Sequence, residues 1–213
     1  SMPFMAPTEQ AIDDIRQGRM VILMDDEDRE NEGDLVIAAE YADARAINFM
    51  SLHARGLICV TLSAERVDSL GLLPMAGRPE TLLATAFTVS VDALACAGSG
   101  VSAADRAITV AALLDERSTA RDFRVPGHMY PLRARDGGVL VRPGQTEGSV
   151  DLARLAGLRP AGVICEVMNP DGTMMRRDGL LAFGARHGIS VVSVAGLIAH
   201  RLASPVPNCL TAR

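Results

Sequence analysis

Lysine is absent from this chain: all 21 basic residues among its 213 residues are arginine. This absence excludes mechanisms that need a lysine, such as Schiff-base chemistry, a pyridoxal-phosphate linkage or a P-loop lysine. Tryptophan is also missing, and aromatic residues make up only 3% of the chain. Because nucleic-acid grooves stack bases on aromatic rings and attract phosphates with basic patches, a net charge of −5 with so few rings predicts no nucleic-acid partner.

Long apolar runs and regular cysteine spacing are missing as well. No stretch approaches the roughly 18 to 20 apolar residues of a membrane span, and the chain does not open on a basic segment followed by an apolar one. We therefore expect a cytoplasmic protein with no membrane partner. The cysteines at 59, 96, 165 and 209 form no CxxC pair, which favours reduced, buried thiols over a metal or disulfide framework.

Helix and strand patterns alternate irregularly along the chain. Apolar periodicity predicts helices, with Thr8 and Ser102 as N-caps of the first and fourth, at 8–17, 43–55, 64–70, 102–116, 149–156, 178–187 and 195–202. Apolar runs predict strands at 19–24, 35–39, 57–62, 87–91, 131–134, 139–141, 162–168 and 190–194. This mixture predicts one α/β catalytic domain over residues 1–213, with a mixed β-sheet flanked by helices and flexible tails at 1–7 and 204–213.

The segment DDEDRENEGD, residues 25–34, places seven carboxylates and one arginine between two apolar strands. A solvated acidic loop is the plain interpretation. Mutual repulsion at the end of a strand, where α/β proteins place ligands, favours a bound cation instead, and oxygen donors suit Mg²⁺, Mn²⁺ or Ca²⁺. An EF-hand is excluded because its twelfth position would be Ala39, where that loop requires a glutamate.

Three further segments carry polar chemistry. In VPGHMYP, residues 125–131, Pro126 and Gly127 predict a turn that projects His128. The segment RPGQTE, residues 142–147, places an arginine, a hydroxyl and loop amides ahead of a helix, which suits a phosphate or another small anion. Glu166 lies inside the apolar strand GVICEV, where a buried carboxylate must be paired or protonated.

One class of chemistry suits these features together. They are a hard metal bound by carboxylates, an anion-binding segment, a histidine and a buried glutamate, with no redox centre. That class is the metal-assisted enolisation of a small phosphorylated hydroxy-ketone, in which the metal holds carbonyl and hydroxyl oxygens while acid and base groups move protons. The residue pattern by itself leads to this class and no further.

At these residues the chain resembles 3,4-dihydroxy-2-butanone 4-phosphate synthase, a family that converts ribulose 5-phosphate to that product and formate in riboflavin biosynthesis. The likeness covers residues from about 8 to about 201. It rests on the acidic segment together with FTVSVD at 87–92, SGVSAADR at 99–106, PGHMYPLRA at 126–134, GGVLVRPGQTE at 137–147 and GVICEVMNPDGTM at 162–174.

The resemblance implies a homodimer of single α/β domains, with active sites near the interface, that binds a small sugar phosphate and uses Mg²⁺ or Mn²⁺. In the acidic segment, Arg29, Glu30 and Asp34 match substrate-binding positions of the family. Glu30 also matches a metal ligand.

The later motifs supply the remaining matches. His128 and Glu166 match the two residues that the family needs for catalysis, and Glu166 is also a substrate-binding position. Arg142 and Thr146 match the contacts to the phosphate and the sugar.

Several positions depart from the family pattern. Gln145 stands where the family has a histidine as its second metal ligand; because an amide oxygen still binds Mg²⁺, we expect Glu30 and Gln145 to hold the metal. Val125 replaces an arginine, residues 98 and 99 are Gly98 and Ser99 where the family has paired threonines, and the 76–83 segment lacks an expected asparagine.

Three interpretations remain open from the sequence. The first is an active synthase that stands alone, without the cyclohydrolase domain to which this family is sometimes fused. The second is a divergent paralogue that binds a sugar phosphate or a metal without the complete reaction, or acts on a related substrate. The third is an acidic-surface interaction protein.

Overall fold

The computed structural model describes residues 4–77 and 84–203. Within these ranges the helices are α1 Thr8–Arg16, α2 Ala44–Phe49, α3 Ala64–Ser69, α4 Ala103–Leu114, α5 Gln145–Leu155, α6 Arg177–His187 and α7 Val194–Ala203. The strands are β1 Val21–Met24, β2 Gly33–Ala38, β3 Cys59–Leu62, β4 Val91–Ala93, β5 Phe123–Arg133, β6 Ala161–Glu166 and β7 Ser190–Ser193. A π-helical turn, Met50–Ala54, continues α2.

The strands form one sheet in the order β4-β5-β3-β6-β2-β1-β7. β5 is parallel to β3 and β1 is parallel to β7, whereas the other neighbours are antiparallel. Alternate side chains enter two apolar cores, one shared with α2, α3, α4 and α6 and the other with α1, α5 and α7. The predicted fold class, a mixed α/β sheet flanked by helices, is confirmed.

The first residues of α1 and α4 show whether the predicted N-caps are correct. Ser102 Oγ accepts the Asp105 N–H at 3.0 Å, so the predicted N-cap of α4 is confirmed. The prediction for α1 is wrong, because Thr8 is already helical and Pro7 is the N-cap, without a side-chain hydrogen bond.

Two of the predicted strands are wrong. Residues 139–141 fall in a 3₁₀ turn, Gly138–Leu140, since Asp151 Oδ2 accepts the Val139 N–H at 2.9 Å and draws that backbone onto α5. In the 87–91 segment, Phe87 and Thr88 form isolated bridges, and the regular strand begins only at Val91.

The predicted turn at Pro126 and Gly127 is also wrong. Both residues lie inside the long strand β5, which includes a cis peptide bond between Val125 and Pro126. A Cβ on Gly127 would come within 2.0 Å of the Val91 carbonyl carbon, so the glycine is required where the β5 backbone meets β4. His128 is therefore presented by a strand rather than by a turn.

Helix α5 begins earlier than predicted. It starts at Gln145 rather than at Ser149, although Gly148 suggests a loop at the level of sequence. A Cβ on Gly148 would lie 2.4 Å from Leu23 Cδ2, so this glycine brings the helix close to β1. The earlier start places Gln145 and Thr146 in the first helical turn.

The predicted tails fall largely outside the described residues, which exclude 1–3 and 204–213. In the remainder of the first tail, the Ala6 N–H donates to the Val191 carbonyl at 2.7 Å. Cys59, Cys96 and Cys165 are free thiols, and Cys209 lies outside the described residues. Within 4–77 and 84–203, no helix is both long and apolar enough to cross a bilayer.

Candidate functional site

Two predicted carboxylates lie side by side at one edge of the sheet. Asp34 on β2 pairs with Glu166, the last residue of β6. Val36 and Ile164, two residues away along their strands, both belong to the core shared with α1, α5 and α7. Because strand side chains alternate, Asp34 and Glu166 face the side of the sheet that carries α5.

His128 lies at the same edge and on the same face. Tyr130 on β5 and Ile164 on β6 both pair with Cys59 on the intervening strand β3. His128 lies two residues before Tyr130, and Glu166 lies two residues after Ile164. His128 and Glu166 are therefore separated by one intervening strand, or roughly 10 Å from two inter-strand spacings. This separation leaves room for a small substrate between them.

Asp25 organises the acidic loop between β1 and β2. Its fully buried carboxylate accepts the Arg29 Nη1–H at 2.8 Å, the Glu30 N–H at 2.9 Å and the Glu32 N–H at 2.9 Å. From outside, Arg176 donates to the carbonyls of Glu30 and Asn31. The sequence analysis gave Asp25 no separate role, and its position directly after the β1 run was the available signal.

The two predicted metal ligands meet at Arg29. Glu30 Oε2 and Gln145 Oε1 each lie 3.3 Å from Arg29 Nη1. Gln145 Nε2 donates to the Glu32 carbonyl at 3.2 Å, which fixes the amide with its oxygen toward the guanidinium. The glutamate is largely exposed, whereas the glutamine is buried. A cation held by these two oxygens competes with the arginine for the same space.

Negative charge accumulates around the buried Asp34. Desolvation, followed by the charges of Glu166, Glu32, Glu30 and Asp25, raises the pKa of Asp34 well above its ordinary value. Desolvation and the neighbouring carboxylates also raise the pKa of Glu32. The site thus holds more negative charge than Arg29 neutralises.

Two arginines converge at the start of α5. A Cβ on Gly144, the N-cap, would lie 2.5 Å from Arg142 Nη1 and 2.8 Å from Arg29 Nη2. Arg142 is buried, and its Nη1 donates to Glu147 Oε1 at 2.6 Å, so Glu147 positions the guanidinium. Thr146 lies in the same first turn. Helix N–H groups and two guanidiniums that converge on a glycine suit an anion.

His128 has a carboxylate partner that the sequence analysis missed. Asp92 Oδ2 lies 2.9 Å from His128 Nδ1, and Asp92 Oδ1 accepts the His128 N–H at 2.7 Å. Gly100 abuts the Asp92 carboxylate, where a Cβ would come within 2.4 Å. Asp105 Oδ2 accepts the Gly100 N–H at 3.0 Å, so the SGVSAADR motif builds the cover over this pair. The available signal was Asp92 as the end of FTVSVD.

Glu166 is only half-buried, so the expectation of an enclosed carboxylate is wrong. It is the last strand residue, and its Oε2 accepts the Leu57 N–H at 2.8 Å. A Cβ on Gly56 would lie 2.4 Å from the Glu166 carbonyl oxygen, so the glycine permits this approach. The more deeply buried carboxylate at this edge is Asp34.

Comparison with known proteins identifies the family. The model of the 3,4-dihydroxy-2-butanone 4-phosphate synthase family matches residues 9–200. A protein of that name from Pseudomonas syringae pv. tomato is 55% identical over 196 residues, covering 92% of this chain and 53% of that protein. Another, from Agrobacterium fabrum, is 52% identical over 196 residues and 92% of each chain.

Solved structures agree with this relationship. RibBX from A. baumannii, a two-domain 3,4-dihydroxy-2-butanone 4-phosphate synthase, superposes with a TM-score of 0.89 at 48% identity, covering 92% of this chain and 58% of that one. A synthase in complex with two magnesium ions gives 0.88 at 39% identity, covering 93% and 98%. The chain spans about half the length of the first curated relatives that it matches. Because the match includes every segment that builds the site, the chain belongs to the 3,4-dihydroxy-2-butanone 4-phosphate synthase family.

Proposed function

We propose that this chain converts D-ribulose 5-phosphate to 3,4-dihydroxy-2-butanone 4-phosphate and formate, as a step of riboflavin biosynthesis. The observation that carries the proposal is the placement of His128, Glu166 and Asp34 at one edge and on one face of the sheet, next to the arginine-lined start of α5. All atoms of the substrate are found in the two products, so the reaction needs no oxidant.

The donor set fits a divalent cation. Within the described ranges no cluster of three or more His, Cys, Asp or Glu side chains has metal-binding geometry. Mg²⁺, however, commonly takes one or two protein oxygens and completes its shell with water and substrate, and Glu30 and Gln145 supply two oxygens around one point. Crowded carboxylates add to the attraction. When bound, the ion polarises the ketone and its neighbouring hydroxyl.

The start of α5 binds the phosphate in this proposal. Arg142, held by Glu147, and the Nη2 group of Arg29 face Gly144 from the same side. Thr146 offers a hydroxyl in the first turn of the helix. With the phosphate fixed there, the sugar carbons extend along the edge of the sheet toward Glu166 and His128.

The carboxylates and the histidine move the protons. Asp92 accepts the Nδ1–H of the neutral His128 ring, so Nε2 keeps its lone pair and acts as the proton acceptor. Asp34 retains its proton to a higher pH than an ordinary aspartate, because burial and neighbouring charges raise its pKa, and it acts as a proton donor. Glu166 holds the sugar hydroxyls between them.

The proposal is tested by measuring formate release from D-ribulose 5-phosphate, with and without Mg²⁺. We expect release that depends on the metal and is abolished in His128→Ala, while Arg117→Gln, at an exposed ion pair with Asp115, behaves as wild type. Release that survives exhaustive chelation refutes metal dependence. No release under any metal condition refutes the synthase activity.

A second candidate function is a divergent paralogue that binds a sugar phosphate without completing the reaction. It is favoured by the buried Gln145 amide, whose oxygen is engaged by Arg29 and whose nitrogen is engaged by Glu32. The variant Gln145→His separates the two functions. A large gain in formate release supports the impaired paralogue, whereas little change or a loss supports a synthase built around glutamine.

A homodimer belongs to this proposal as the expected assembly. Leu57 and Val125 are exposed apolar side chains. The Leu57 N–H donates to Glu166, and Val125 lies three residues before His128. Light scattering after size-exclusion chromatography should give twice the mass of the chain, and a monomer that retains activity would contradict the assembly.

A further inference from the structure

Arg29 bridges the two charged halves of the site. Its Nη1 lies among oxygens, 2.8 Å from Asp25 Oδ2 and 3.3 Å from both Glu30 Oε2 and Gln145 Oε1. Its Nη2 lies near Gly144 and the Arg142 guanidinium, since a Cβ on Gly144 would come within 2.8 Å of Arg29 Nη2 and 2.5 Å of Arg142 Nη1. One guanidinium therefore occupies the gap between the metal-donor oxygens and lines the anion-binding start of α5.

We propose that Arg29 couples the two ligands, so that an anion at Gly144 strengthens divalent-metal binding at Glu30 and Gln145, and the metal strengthens anion binding equally. This inference rests on the proposed function, because it uses the metal and phosphate positions assigned there.

The coupling follows from competition for one side chain. A metal bound by Glu30 and Gln145 repels Arg29 Nη1, which lies within hydrogen-bonding distance of both oxygens. An anion at Gly144 attracts the same guanidinium and forms a forked pair with it and with Arg142. When the anion draws Arg29 out of the gap, the metal no longer has to displace it. Linkage requires the reverse effect to be of equal size.

Asp25 keeps hydrogen-bond donors when the arginine leaves the gap. Asp25 also accepts the N–H groups of Glu30 and Glu32, at 2.9 Å each, so its carboxylate keeps two donors. Arg29 is itself partly exposed, at 20% of its side chain, and its Nη2 already lies at the start of α5. Displacement therefore exchanges one ionic contact for another.

The test measures Mg²⁺ affinity by calorimetry with and without inorganic phosphate, after subtraction of a protein-free titration. In wild type we expect phosphate to tighten Mg²⁺ binding by roughly tenfold, within the usual range of coupling between sites. Arg29→Gln should bind Mg²⁺ more tightly than wild type without phosphate, and phosphate should change that affinity by no more than about twofold.

A matched control removes a different arginine that contacts the acidic loop from outside. Arg176 contacts the carbonyls of Glu30 and Asn31 but not the gap, so Arg176→Gln should keep the wild-type coupling. Arg29→Lys provides a second test if Arg29→Gln is unstable, since one ammonium group cannot contact both halves at once and should give weaker coupling.

Each outcome bears on the inference. Wild-type coupling that persists in the Arg29 variants overturns it, because direct attraction between metal and phosphate then suffices. Absence of Mg²⁺ binding in wild type and variants overturns both this inference and the metal-dependent function. Coupling that is lost only in the Arg29 variants supports the inference, even when formate release fails and the synthase proposal is rejected.

Discussion

The histidine end of the site and the acidic-loop end differ in how their charges are balanced. At the histidine end, His128 is paired with a single buried carboxylate, Asp92, which contacts both the ring and the backbone N–H. At the acidic-loop end, Asp25, Asp34 and the glutamates outnumber Arg29, and burial together with the neighbouring carboxylates raises the pKa of Asp34.

This difference indicates which end of the site has its geometry set by the protein alone, without a bound ligand. The Asp92 carboxylate contacts both the ring and the backbone N–H of His128, so the protein alone sets the geometry of this pair. Crowded carboxylates around one shared guanidinium are unbalanced, so their arrangement depends on the cation and the anion that bind there. Substitutions at the two ends should therefore act differently: on the chemical step at His128, and on ligand binding and stability at the acidic loop.

The largest effect on activity is expected from a substitution at the histidine end of the site. In Asp92→Asn, the amide oxygen can still accept the His128 N–H, but the amide N–H₂ then donates to Nδ1 and moves the ring proton to Nε2. We expect kcat for formate release to fall by roughly 100-fold or more, because the proton acceptor is blocked. Asp68→Asn, at an exposed pair with Arg133, is the control, and a loss under twofold in Asp92→Asn would contradict this role.

A smaller effect is expected at the anion face of the acidic-loop end. In Gly144→Ala the new methyl group would lie 2.5 Å from Arg142 Nη1 and 2.8 Å from Arg29 Nη2, and would occupy the space assigned to the phosphate. KM for D-ribulose 5-phosphate should rise by roughly tenfold, with little change in kcat. Gly77→Ala, where a Cβ meets nothing within 4 Å, should leave KM unchanged. Equal KM values in the two variants would place the phosphate elsewhere.

The smallest effect concerns stability and its pH dependence at Asp34. Because its folded-state pKa is raised, the folded chain keeps this proton above the pH at which the unfolded chain loses it. Wild type should therefore lose stability as pH rises above the ordinary aspartate range, whereas Asp34→Asn should not.

The corresponding measurement is urea unfolding at pH 3.5 and pH 8 in a chelating buffer. We expect the stability of Asp34→Asn relative to wild type to be greater at pH 8 than at pH 3.5. Asp136→Asn, at an exposed carboxylate, should show no such gain. A variant that becomes relatively less stable as pH rises would reverse the sign and refute the assignment.

Local pattern predicted most elements but misplaced the segment around Gly127 and the start of α5. The strand runs around Ile22, Val60 and Ile164 were located correctly because consecutive apolar residues are buried on both faces of a covered sheet. Gly127, predicted to lie in a turn, permits a close approach of β5 to β4, and Gly148, just before the predicted start of α5, permits a close approach of the helix to β1. Sequence alone cannot distinguish these uses of glycine, since the neighbouring backbone comes from a distant segment.

The features of the candidate site likewise divide into those that the sequence determined and those that only the tertiary structure decided. The sequence by itself determined the family, the acidic loop and the replacement of a histidine by Gln145, whereas the register of β2 against β6 brought Asp34 and Glu166 to one face. Only the tertiary structure decided that Asp92 pairs with His128, 36 positions away, and that Arg29 meets Gln145, 116 positions away. Strand register and helix packing set these contacts, and both depend on cores assembled from the whole chain rather than on any local propensity.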